Sequence, residues 1–163
     1  MEVLAVLMLV ALVTSFAVPV YRSARHEMRN NQARAAAMKL AEAIRFYYQI
    51  SKGYKIEQSH FDGLNSQSVW FSSSCDDVTA SGVPPSSTPS ASKPISNLFA
   101  CGFLTPKDFA GVPYEFYVCN PNGSSSNCGG KSGLYVRIKG LAEAGKYENK
   151  YFNVDNKMIW HEE

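Results

Sequence analysis

Residues 3–20, VLAVLMLVALVTSFAVPV, form an almost unbroken apolar run interrupted only by Thr14, Ser15 and Pro19. A helix over this run spans about 27 Å, close to the hydrocarbon thickness of a bilayer. A helix that is apolar on every side has to be surrounded by lipid or by protein, so the run limits the fold more than any other segment. A cleaved signal peptide fits poorly. No basic region stands ahead of the run, no small-residue cleavage site is followed by a change of pattern, and the helical pattern simply continues.

An ordinary membrane anchor meets a contradiction in the flanking charges. Arg22, Arg25, Arg29, Arg34 and Lys39 follow the run with Glu27 as the only acid among them. Such a cluster suits lipid headgroups or a solvated helix face. The positive-inside rule would hold these residues, and everything after them, in the cytoplasm. The cysteines argue the opposite. Cys75, Cys101, Cys119 and Cys128 form an even set without zinc-ligand spacing, in sequence rich in Ser, Gly and Asn. That pattern predicts two disulfides and an oxidising compartment. Both readings hold if a basic leader precedes the segment, so residues ahead of Met1 are expected.

Two residues break the apolar pattern in ways that need a reason. A carboxylate such as Glu2 beside a membrane-length run is costly unless it stays at the interface or is paired. It either rests in the headgroup layer or meets a positive group, such as the α-amine of another subunit. Pro19 lacks an N–H and crowds the turn before it, which predicts a kink or a locally melted stretch.

Together these features carry a resemblance. The run MEVLAVLMLVALVTSFAVPVYR resembles the mature N-terminus of type IV pilins and of the related type II secretion pseudopilins. That family opens with an aromatic residue, a glutamate a few positions on, a long apolar run, and a proline soon followed by an aromatic. Glu2 and Pro19 stand 17 positions apart, at the family's spacing, and Tyr21 follows. The resemblance implies that a methylated N-terminal aromatic, a leader-peptidase site and a basic leader lie upstream of Met1. It implies that Glu2 neutralises a neighbour's terminal amine during assembly, and that Pro19 marks a segment that loosens in the filament. The partners it implies are other copies in a helical homopolymer, the inner-membrane pilus assembly machinery, and membrane lipid before assembly. The implied location is the inner membrane for the precursor, then an extracellular surface filament.

Beyond Pro19 the helical pattern runs on to Gly53, a suitable C′ stop. Ala33, Ala36, Ala37, Leu40, Ile44, Tyr47 and Tyr48 recur at three- and four-residue steps and make one apolar stripe. The aromatic run Phe46, Tyr47, Tyr48 is read as packing against a sheet rather than as an electron-conducting stack. Three segments follow: an apolar helix over 1–25, its amphipathic continuation over 26–53, and a head over 54–163. A helix over 2–52 would be about 75 Å long. A head of this size has a radius of gyration near 13 Å, so it cannot cover such a stem.

Within the head, residues 72–94 hold ten Ser/Thr and four Pro, too little apolar surface to pack alone. Ser86, Ser87, Thr88 and Ser90 are candidate O-glycosylation sites in a solvent-facing loop, and Asn122-Gly123-Ser124 fits an N-glycosylation triplet. Strands are expected over Tyr114–Cys119 and Leu134–Lys139 as one antiparallel hairpin. A second is expected over Tyr151–Val154 and Lys157–Trp160, joined by Asp155-Asn156. The fold class is therefore α+β, a long N-terminal helix packed on an antiparallel sheet across 114–160. Four cysteines allow three pairings. Cys119 with Cys128 is favoured because they bracket the loop at the mouth of the first hairpin, leaving Cys75 with Cys101.

Net charge is +2 with a pI near 8.3, which gives no strong field for nucleic acid. No nucleophile elbow, phosphate loop, paired catalytic carboxylates or metal-spaced histidines are present, so neither catalysis nor a cofactor is expected. The oxygen-bearing residues that come nearest to a calcium site are Asp76-Asp77 and Asp62 beside His60. The function that follows is a filament-forming subunit. A pseudopilin of a secretion piston and a membrane-anchored extracytoplasmic binding module are the alternatives.

Overall fold

The computed structural model describes residues 2–50, 55–56, 59–64, 92–93, 95–119, 121 and 126–163. Helix α1 (Glu2–Ile50) takes up 49 residues with Pro19 inside it, a rod of about 73 Å. Of the kink or melted stretch expected at Pro19, the melted stretch is absent from the single chain, where helical structure runs unbroken through it. Pro19 costs the bond its N–H would have given to the Ser15 carbonyl. Hydrogen bonds in the turns on either side hold the rod together across that gap.

The second half of α1 buries one face. Ala33, Ala36, Ala37, Leu40, Ala41, Ala43, Ile44 and Tyr47 are all buried, and small residues let the helix approach the sheet closely. Tyr48 departs from the expected stripe and is 40% exposed. Phe46 is also largely exposed, although its ring meets Phe103 edge-on at 5.8 Å.

Facing this helix is a five-stranded antiparallel sheet in the order β2-β4-β5-β6-β7. Its strands are β2 (His60–Asp62), β4 (Tyr114–Val118), β5 (Leu134–Gly140), β6 (Tyr151–Asp155) and β7 (Trp160–Glu162). Residues alternate strictly between buried and half-exposed along β4 and β5, the period of two that put both in the sequence reading. Pairing places Phe61, Phe116, Ile138 and Phe152 in one row across the sheet, and Val118, Val136 and Val154 in the next. Phe61 stacks on Phe116 at 5.2 Å, and Phe109 and Phe99 close the cluster edge-on. Two shorter strands, β1 (Lys55–Ile56) and β3 (Ser92–Lys93), pair in parallel as a separate two-stranded sheet, with β1 against α1.

The last hairpin differs from expectation in its turn. Strand β7 begins at Trp160, and Val154 pairs with Trp160 rather than with Lys157. Asp155 accounts for the shift. Its Oδ1 accepts the N–H groups of Lys157 and Ile159 at 2.9 and 2.8 Å, and Met158 takes a positive φ of 64°. The aspartate side chain thus organises a wider loop than a two-residue turn. Burial pushes its carboxyl up, but these N–H groups and His161 outweigh that and hold it below the ordinary value.

Strand β2 and the short helix α2 (Ser96–Ala100) lie outside the segments that the sequence pattern assigns to helix or strand. A three-residue strand is too short to display a period.

Candidate assembly surface

Among the described residues, nothing covers the lower half of α1. Thirteen large apolar side chains from Val3 to Tyr21 are between 47% and 72% exposed, and none of the membrane-length apolar window is buried. The two hydroxyls inside the apolar run 3–20 are satisfied within the helix. Thr14 Oγ1 donates to the carbonyls of Val10 and Ala11 at 2.9 and 3.0 Å, and Ser15 Oγ to that of Leu12 at 2.8 Å. Back-bonding of this kind removes the penalty for placing a hydroxyl in an apolar surrounding. Glu2 begins the helix, on the same apolar rod as Pro19.

Above the stem, a joint fastens helix to head. Three contacts reach the 3-10 turn Ala142–Tyr147. Arg29 Nη1 donates to the Glu143 carbonyl, Lys146 pairs with Glu27, and Tyr147 Oη donates to Glu27 Oε2 at 2.7 Å. Hydrogen bonds from Lys146 and then Tyr147 hold the Glu27 carboxyl below its ordinary value. The bond to Glu27 in turn holds the Lys146 ammonium above its own. The His26 ring lies against Gly145, whose φ of +65° an L side chain rarely adopts and whose missing Cβ leaves room for the imidazole. Sequence places Arg29 and Glu27 in the charged cluster after the apolar run but carries no sign of their partners on the 142–147 turn.

Higher on the helix, Tyr114 Oη donates to Asn30 Oδ1 at 3.1 Å, and burial pushes the phenol's pKa up. Lys39 pairs with Asp108 at 2.6 Å. Partial burial raises that carboxyl, but the bonds from Lys39 and Thr105 prevail and keep it below the ordinary range. Asn97 Nδ2 donates to Tyr47 Oη at 3.2 Å inside the core. The register between helix and head is thus fixed by polar contacts at four heights.

Cys119 and Cys128 are joined, with Cα atoms 5.9 Å apart. Cys101 is also in a disulfide, whereas Cys75 lies outside the described residues. On the same side of the sheet, the Arg137 guanidinium lies 4.0 Å from the centre of the Tyr151 ring. It also pairs with Glu163 at 2.7 Å, which Lys131 engages too. This clasp ties the segment after Cys128 to the last residue of the chain.

The remaining sequence candidates fall elsewhere. Ser86, Ser87, Thr88, Ser90, Asp76, Asp77, Asn122 and Gly53 lie outside the described residues. Asp62 accepts the Leu64 N–H at 2.7 Å, and His60 stands 3.6 Å from Glu115. No group of three or more His, Cys, Asp or Glu among the described residues is arranged to hold a metal.

The geometry therefore defines an α+β protein with a pilin-like layout, a long apolar helix that is bare below and packed on an antiparallel sheet above. Comparison with known protein families, with curated proteins and with solved structures gives no match.

Proposed function

We propose that this chain is a structural, non-catalytic subunit that polymerises into a type IV pilus-like extracellular filament through its apolar helix. The observation that carries the reading is the bare stem. A typical monomer's largest apolar patch is about 300–600 Å², whereas thirteen side chains more or less two-thirds exposed amount to roughly three times that. Removing about half of that surface, on the order of 750 Å², from water is worth ~20 kcal/mol, above the 4–15 kcal/mol that association costs.

Lipid offers the same gain, so burial alone does not choose between bilayer and polymer. Glu2 favours the polymer. A carboxylate at the end of an apolar rod is costly in hydrocarbon and is answered when copies bring a terminal amine beside it. Before assembly the subunit would sit in the inner membrane, where the pilus assembly machinery would take it up. The filament would then stand at the cell surface.

Expression of the full precursor in a pilus-bearing host, followed by shearing and electron microscopy, tests this. The wild-type chain is expected in long fibres. Glu2→Ala should abolish fibres while leaving the thermal transition of the detergent-solubilised chain unchanged. Normal fibres from Glu2→Ala would refute the pairing role, and a wild-type chain that never enters fibres would refute the polymer.

A further inference from the structure

Just above the apolar run, α1 carries two cations that no acid in the described chain answers. Arg22 and Arg25 are exposed and enter no ion pair among the described residues. Their neighbours are engaged: Arg29 binds the Glu143 carbonyl and Glu27 pairs with Lys146. Glu143 is an exposed acid on the turn above, yet its side chain pairs with neither arginine. Three residues apart on a helix, Arg22 and Arg25 share one face.

Heights along the helix fix what that face meets. The head is fastened at His26–Arg29, which lies about 8–12 Å beyond Tyr21 at 1.5 Å per residue. The headgroup region on each side of a bilayer is about 5–8 Å deep. With residues 3–20 in hydrocarbon, Arg22 and Arg25 lie at the level of the lipid phosphates. The 142–147 turn sits just above them, so the head's base closes over that layer without displacing it. A guanidinium presents a fork of donors that matches phosphate oxygens, and two on one face grip more firmly than scattered charges.

We propose that Arg22 and Arg25 form a binding site for the phosphate of anionic lipid, which holds the unassembled subunit at a set depth with its head resting on the headgroups. This rests on the reading that the stem lies in a bilayer before assembly. Extraction into a filament must then break these contacts, so release would be easier in neutral membranes and at high salt.

The test uses the purified full chain in vesicles of phosphatidylcholine, with spin-labelled phosphatidylglycerol or phosphatidylcholine as the probe. The wild type should retain the anionic label at least five-fold over the neutral one, since each of its two basic contacts with an anionic surface is worth about that much. That ratio should fall towards one in Arg22→Gln/Arg25→Gln and in about 1 M salt, where screening length drops to ~3 Å. It should stay unchanged in Arg34→Gln, whose guanidinium lies by the Trp160 ring 5.7 Å away. Equal retention of both labels by the wild type, or an unaltered ratio in the double variant, would overturn the site. Displacement of the anionic label by millimolar inorganic phosphate would assign the arginines to free anion instead of lipid. Flotation separates the premises: a chain that fails to float with phosphatidylcholine refutes the bilayer stem, and one that floats without lipid preference refutes only the arginines.

Discussion

Residues 3–25 and 26–50 belong to one unbroken helix, yet they solve different problems. In the lower half every described side chain is exposed, and apolar residues point in all directions. In the upper half most apolar residues gather on one buried face, with Met28, Phe46 and Tyr48 left exposed, and alanines there let β5 and β6 come close. Backbone geometry is shared, so the difference lies entirely in where apolar side chains stand around the axis. A rod with one apolar stripe is completed by its own head. A rod apolar all round is completed only by something outside the chain.

The largest test of that contrast compares two leucines. Leu40 is fully buried, and Leu40→Ala should lower the stability of the head by about 2–5 kcal/mol. Leu9 is 65% exposed, and Leu9→Ala should change stability by no more than ~0.5 kcal/mol. Thermal unfolding of both variants in detergent reads the difference, and equal losses would mean that the lower half does pack on its own head.

The joint between the halves offers a second, smaller test. At Gly145 a Cβ would have to accept a φ of +65° and share space with the His26 ring. Gly145→Ala should therefore cost about 1–3 kcal/mol. Adding His26→Ala should recover only the part due to collision. Full recovery would show that the backbone conformation there is unstrained.

The smallest effect is a pH dependence at the same joint. The Glu27 carboxyl is held below its ordinary value, so its contribution is complete above the unfolded value and is lost as pH falls through the folded one. The wild type should thus lose slightly more melting temperature between about pH 5 and pH 3 than Glu27→Gln does. The raised Lys146 works in the opposite range. Its contribution is present below the ordinary lysine value and disappears as pH climbs past the folded one. Parallel acid profiles for wild type and Glu27→Gln would remove the ion pair from the account of the joint.

What was legible in the sequence follows the same division. The stem and the β4–β5 hairpin were readable because each repeats one pattern, apolar all round in residues 3–20 and alternating along Tyr114–Val118 and Leu134–Gly140. The Cys119–Cys128 pairing was readable because the two residues close the mouth of that hairpin. Strand β2 was not, since His60–Asp62 becomes a strand only by adding to the edge of β4. The shifted start of β7 was hidden for a related reason: the backbone bonds accepted by Asp155 decide the turn, and a pattern of apolar residues cannot report them. The collar contacts of His26, Glu27 and Arg29 join residues more than a hundred positions apart. Local sequence carries no trace of such partners.

The two ends of the sheet bear on how copies of this chain meet. Its edge strands, β2 and β7, are only three residues long each. They carry His60 and Asp62 on one side and His161 and Glu162 on the other. Short, charged edges are poor templates for a further strand. Heads crowded side by side, whether on a membrane or around a filament axis, would resist zipping into a continuous β-ribbon. Self-recognition is thereby channelled into helices, and the aggregation route that threatens any exposed sheet is closed by the same few residues that end it.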